Sequence, residues 1–167
     1  MICERCKEKE ALAQCGLCDS AVCKTCRESL DSKDFSLMTT KPVELTHSAY
    51  CANCFDSKIR PQLDEYEIYE NLAKNVYFQS SNFHGNSHII NKHSKSISVD
   101  NCDDRRQLIL MLAYQAAKLN YNAIVSADIR NKRVYAEKGG GYGRYVWSGT
   151  AIPANINGAR FEASKVD

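Results

Sequence analysis

Four Cys-x-x-Cys pairs stand in the first 54 residues: Cys3/Cys6, Cys15/Cys18, Cys23/Cys26 and Cys51/Cys54. Gaps of 8, 4 and 24 residues separate them, and they use eight of the nine cysteines in a 167-residue chain. Two sulfurs so spaced reach one ion at about 2.3 Å, and two such turns complete a tetrahedron. The pattern predicts zinc, two ions per chain, each closed by four thiolates with no position left for water. Closed sites of this kind supply folding free energy where apolar side chains are few. They are few here: Val22, Phe35, Leu37, Tyr50 and Phe55 are among a thin scatter before Ser57.

A disulfide framework is the competing use of so many cysteines. No secretory leader precedes Cys3, so the expectation is reduced thiols and a cytoplasmic chain. A redox motif needs one such pair and leaves the other three unexplained. The pairs can share ions sequentially or in a cross-brace. The short joint between Cys18 and Cys23 favours the cross-brace, because it joins ligands of different ions easily and leaves little room for two separate modules.

The stretches QCGLCDSAVCKTCRES and AYCANCFDSKIRP resemble the FYVE-type zinc finger over roughly residues 1–60. The likeness lies in the spacing of the second and third pairs, the aromatic Phe55 and the helix that follows. It implies one zinc on Cys3, Cys6, Cys23 and Cys26, and another on Cys15, Cys18, Cys51 and Cys54. FYVE fingers that bind phosphatidylinositol 3-phosphate carry a basic, histidine-rich run before the third cysteine. Here that place reads Glu10 to Gln14 without Arg or His, so membrane binding is not expected. Arg27 and Lys24 are read as solvated charges. A RING-type ubiquitin ligase usually has a histidine ligand between the second and third pairs, and none stands there. His47 is read as a surface residue or one that supports the ligands.

Charge narrows the partners. The formal net charge is +2. Eight ligating thiolates and two zinc ions move it to about −2. Residues 1–60 carry nine Lys/Arg against nine Asp/Glu. That balance argues against nonspecific nucleic-acid binding, though a local basic patch is compatible with it. The longest apolar run, Leu108 to Tyr114, is far too short to span a bilayer.

The expected fold class is α+β: a small zinc-stabilised module (1–60), a linking helix (61–74), a small mixed-sheet domain with one main helix (75–157) and a tail (158–167). Pro61 suits the first turn of a helix over about 60–73, and Asp64, Glu65, Glu67 and Glu70 favour its N-terminal part. Strands are expected at 75–81, 87–91, 95–99, 123–129 and 144–151, with turns at 82–86 and 130–133. The main helix, 100–120, has Asn101 or Asp103 as its cap. Leu108, Leu112, Ala116 and Leu119 form its core stripe. Leu110, Met111 and Tyr114 lie on a further apolar face, expected as a subunit interface. Cys102 is read as a small surface thiol, and His84, His88 and His93 as loop residues rather than ligands. Gly139 to Gly143 lacks the Gly-Lys-Ser/Thr of a phosphate loop and is read as a hairpin loop.

The second half, with LNYNAIVSADI and the later SGTAI, resembles the YbjQ-like family, also labelled heavy-metal-binding domains. Leu119, Asn122, Ala123, Ile124, Val125, Gly149, Thr150, Ala151 and Ile152 carry the likeness, over about residues 74–155. The resemblance implies a small α+β domain assembling into homo-oligomeric rings, plausibly pentamers. The sequence shows no HExxH, no nucleophile elbow and no open metal position. The expected function is a noncatalytic, oligomerising scaffold or adaptor that presents its zinc finger to a protein partner. A metal- or phosphoinositide-sensing module is the alternative, and a RING-like ligase a weaker one.

Overall fold

The cysteine turns dictate the N-terminal architecture because each closes on itself. In the first, the Lys7 N–H donates to the Cys3 carbonyl at 3.0 Å; in the second, the Asp19 N–H donates to that of Cys15 at 2.9 Å. Lys7 and Asp19 both take the left-handed conformation, each with φ of 59°. In the computed structural model, which describes residues 1–31, 33–85, 88–135 and 143–157, the chain divides into two units. These are Met1–Ile68 and Tyr69–Asp167.

In the first unit, β1 (Ala13–Gln14) pairs antiparallel with β2 (Ala21–Val22). Likewise β3 (Arg27–Glu28) pairs with β4 (Tyr50–Cys51). The chain turns helical at once after β4. It runs through α1 (Ala52–Cys54), one π-helical turn (Phe55–Ile59) and α2 (Arg60–Ala73). Pro61 thus lies inside a continuing helical path rather than opening it. Its ring would crowd the Ser57 carbonyl and it has no N–H to offer, and the wide turn just before it accommodates both defects. Ile59 and Tyr66 on this path are buried, and the Tyr66 ring tilts against Phe35 at 5.1 Å. The Tyr66 hydroxyl accepts from the Leu37 N–H at 3.2 Å.

Among the described residues, the second unit is built on a five-stranded mixed sheet with the helix Arg105–Lys118 packed across it. Its strands are β5 (Tyr77–Ser80), β6 (Ile89–Lys92), β7 (Ile97–Cys102), β8 (Ala123–Tyr135) and β9 (Gly143–Ile156). β5 lies parallel to β8; β9 pairs antiparallel with β8 on one edge and with β6 and β7 on the other. The segment 130–133, expected as a turn, is strand: β8 runs unbroken to Tyr135. β9 likewise continues through Pro153 to Ile156, and the Pro153 carbonyl accepts from the His93 N–H at 2.7 Å.

α3 (Arg105–Lys118) sets Leu108, Leu112 and Ala116 against Val99, Ile124, Ala127 and Ala151. Ala123, Val125, Ala154 and Ile156 form a second cluster. Ile124 and its neighbours Ala123 and Val125 alternate between the two clusters as a strand requires. Ser126 then enters the left-handed region at the bulge, an extra residue that returns Ala127 to the α3 cluster. Asn101 does the same in β7, so that Val99 and Cys102 share that core.

Several helix details differ from expectation. The cap of α3 is Asp104, whose carboxylate accepts from the Gln107 N–H at 2.9 Å. Asn101 is spent on the bulge and Asp103 on an ion pair with Arg144. Cys102 is no surface thiol: it is buried in the α3 cluster and donates to the Asp104 carbonyl at 3.2 Å. Tyr114 is 4% exposed, its ring edge-on to Tyr69 at 6.2 Å, while Leu110 and Met111 are half-buried. Asn122 fastens β9 through its side chain, donating to the Ile156 carbonyl at 3.0 Å and accepting from the Ile156 N–H at 2.9 Å. The loop residues 139–142 and the tail 158–167 lie outside the described residues.

Candidate metal centre

Strand register delivers the cysteine pairs to one another. The second pair occupies the turn between β1 and β2, and the third follows β2 directly. The Glu4 N–H donates to the Ala21 carbonyl at 2.9 Å, holding the first pair beside β2 and so beside Cys23. Pairing of Arg27 with Cys51 brings in the fourth pair.

Two groups of four sulfurs result: Cys3, Cys6, Cys23 and Cys26; and Cys15, Cys18, Cys51 and Cys54. Within each group all sulfurs lie within 4.8 Å of one another. A tetrahedron with metal–sulfur bonds of 2.3 Å has edges of about 3.8 Å. The Cys6–Cys23 separation is 3.9 Å and the Cys18–Cys51 separation 3.7 Å. All eight are free thiols, and these distances are those of ligands around an ion. The arrangement is a cross-brace, and each group can hold one metal ion.

The electrostatics of the two groups fit a cation. Backbone hydrogen bonds at Cys6 and Cys23 draw the Cys3 thiol down to about 6. The Ser20 hydroxyl, 3.3 Å from the Cys18 sulfur, draws Cys18 down to about 6. In contrast, the Cys23 sulfur, with burial, pushes Cys26 up to about 12. Burial and then the Cys18 and Cys51 sulfurs push Cys54 up to about 12. Each group thus contains a thiol that ionises readily and one that keeps its proton, because like charges this close cannot all form unaided. A divalent cation removes that conflict. Cys51 adds a further device: it caps α1, its sulfur accepting from the Cys54 N–H at 3.5 Å.

His47 stands beside these ligands, not among them. It is half-buried, packs over Gly16 within the second turn, and lies edge-on to Tyr50 at 6.1 Å. Lys24 and Arg27 are exposed. His84 and His88 are exposed, while His93 bonds through Nδ1 to the Lys95 backbone and faces Tyr121. Among the described residues the three histidines form no ligand group. Sequence reasoning missed Lys7, Asp19 and Ser20. Only the equivalence of Lys7 and Asp19, each following the second cysteine of its turn, offered a signal. A cleft of about 170 Å³ between Glu4, Arg5 and Asn53 carries both signs of charge and favours neither.

Comparisons with protein-family models, with curated proteins and with solved structures find no match to this chain. Fold and site define a Cys-rich module with two four-cysteine centres, followed by a mixed-sheet unit. Among the described residues no helix is long and apolar enough to cross a membrane.

Proposed function

We propose that the protein is a noncatalytic zinc adaptor whose N-terminal module, FYVE-like in its cysteine spacing, offers a rigid surface to a protein partner. The supporting observation is the pair of closed four-sulfur groups. Four thiolates fill the coordination sphere of zinc, so the ion shapes the surface and does not meet a substrate. On this reading the YbjQ-like second unit assembles into a homo-oligomeric ring, a pentamer, and multiplies the surface so that weak contacts gain avidity. The eight free thiols suit a reducing compartment such as the cytoplasm.

Native mass spectrometry of the full chain, followed by the same sample denatured, tests this reading. The expected result is a closed oligomer with two zinc ions per chain. A strictly monomeric chain at high concentration removes the multivalent part. Chains without metal, each lighter by pairs of hydrogens, would mean disulfides and end the zinc reading.

A further inference from the structure

Past the reach of any third strand, β8 and β9 continue as a two-stranded ribbon. β5 follows β8 no further than Ala127, and β7 meets β9 only from Trp147 to Ala151. From the pair Lys132–Val146 to the pair Tyr135–Gly143, the two strands pair only with each other among the described residues. Residues opposite one another share a face. One face therefore carries Arg133, Tyr145 and Tyr135. The other carries Lys132, Val134 and Arg144, with Arg130 nearer the base. Among the described residues there is no carboxylate from Ile129 to Tyr135 or from Gly143 to Ser148. Tyr135 is 61% exposed and Tyr145 54%. The Arg133 guanidinium lies 5.2 Å from the centre of the Tyr135 ring.

We propose that this ribbon binds single-stranded nucleic acid, its cations on the phosphates and Tyr135 and Tyr145 stacked against bases. Charge complementarity selects the occupant: four cations, Arg133 on the ring face and Lys132, Arg144 and Arg130 on the other, match a chain of phosphates passing over the edge of a ribbon only two strands wide, and the exposed rings beside Arg133 match the faces of unpaired bases. Arg130 and Arg144 do meet Asp128 and Asp103, but both pairs are exposed, hence weak and exchangeable for phosphate. A second copy of the chain is the less favoured occupant: cations along a strand edge discourage pairing with a like-charged edge. This inference stands independently of the adaptor reading.

The test is fluorescence anisotropy of a fluorescein-labelled oligothymidylate of about 12 nucleotides, titrated with the full-length metal-loaded protein at several salt concentrations. Four phosphate contacts at about 0.7 each predict a log–log salt slope near −2.8, or about a 50-fold loss between 50 and 200 mM. Lys132→Ala/Arg133→Ala should halve that slope. Tyr135→Ala/Tyr145→Ala should weaken binding at least about tenfold with the slope kept. Circular dichroism and metal content matching the parent separate these effects from misfolding. No binding, or binding that both variants leave unchanged, overturns the proposal. So does a loss of self-association in the variants when the oligonucleotide was never bound, which would make the ribbon an interface between copies.

Discussion

Gly16 sits inside the second cysteine turn with no room for a side chain. A Cβ there would fall 2.5 Å from both Cβ and Nδ1 of His47, and closer still to its Cγ. Rotating the imidazole clears Cγ and Nδ1 but not Cβ, so the backbone around His47 must retreat. That backbone is tied to the turn, because the Gly16 N–H donates to the Ala49 carbonyl at 3.0 Å. It leads directly into Tyr50 and Cys51, a ligand of the second centre. Overpacking of this kind costs about 1–3 kcal/mol. On the zinc reading, folding and metal binding form one equilibrium, and Gly16→Ala should then lower the product of the two zinc affinities by about 5- to 150-fold. Competition with a chromophoric chelator measures that product. His47→Gly in the same chain should recover most of the loss and His47→Ala only part, because alanine keeps the offending Cβ. The coupling between Gly16→Ala and His47→Gly should be at least about 0.5 kcal/mol. Parental affinity in Gly16→Ala, or strict additivity with His47→Gly, would show that His47 does not support the turn.

Stripping both ions with a chelator should unfold Met1–Ile68, while amide protection in the α3 and β8–β9 region persists, as hydrogen exchange on the full chain can show. Simultaneous loss of protection in both units would contradict the division. Zinc retention should weaken as pH falls. Cys26 and Cys54, held up near 12, must each give up a proton on binding. Affinity per centre should therefore drop by at least about tenfold per pH unit between pH 8 and 6. Because the metal-free module is unfolded on this reading, the remaining ligands, Cys3 and Cys18 included, start near the ordinary thiol value of about 8.5 and steepen the fall across the same range. A pH-independent competition curve would refute the assignment of these ligands. Asn122→Ala leaves the Ile156 N–H and carbonyl without their side-chain partner. It should destabilise the second unit by about 1–3 kcal/mol, read as a lower Tm with zinc content unchanged.

The metal groups were legible because ligand spacing is local chemistry: two sulfurs on one turn need only their own four residues. The pairing of turns was less so, since it depends on register between Arg27 and Cys51, which lie far apart in the chain. α2 was legible in extent, but its approach was not. Pro61 looks like a helix opener in sequence, and only the wide turn before it lets the helix begin at Ala52. The segment 130–133 was misread for a different reason. A ribbon with no buried face has no reason to alternate, so Arg130 to Arg133 shows the polarity of a turn while lying in a strand. Cys102 illustrates the same limit, because a bulge at Asn101 changes which way the following side chain points and sequence alone does not announce a bulge.

The interleaving of the two centres has a consequence for how the module responds to its metal. Segment 15–26 carries ligands for both ions, so neither centre can be cut out and neither can form without ordering part of the other. Loading should then approach an all-or-none event, with half-filled chains scarce and the folded fraction rising with the square of free zinc. On the zinc reading, a module built this way should act as a threshold element, unfolded below a narrow band of zinc concentration and complete above it.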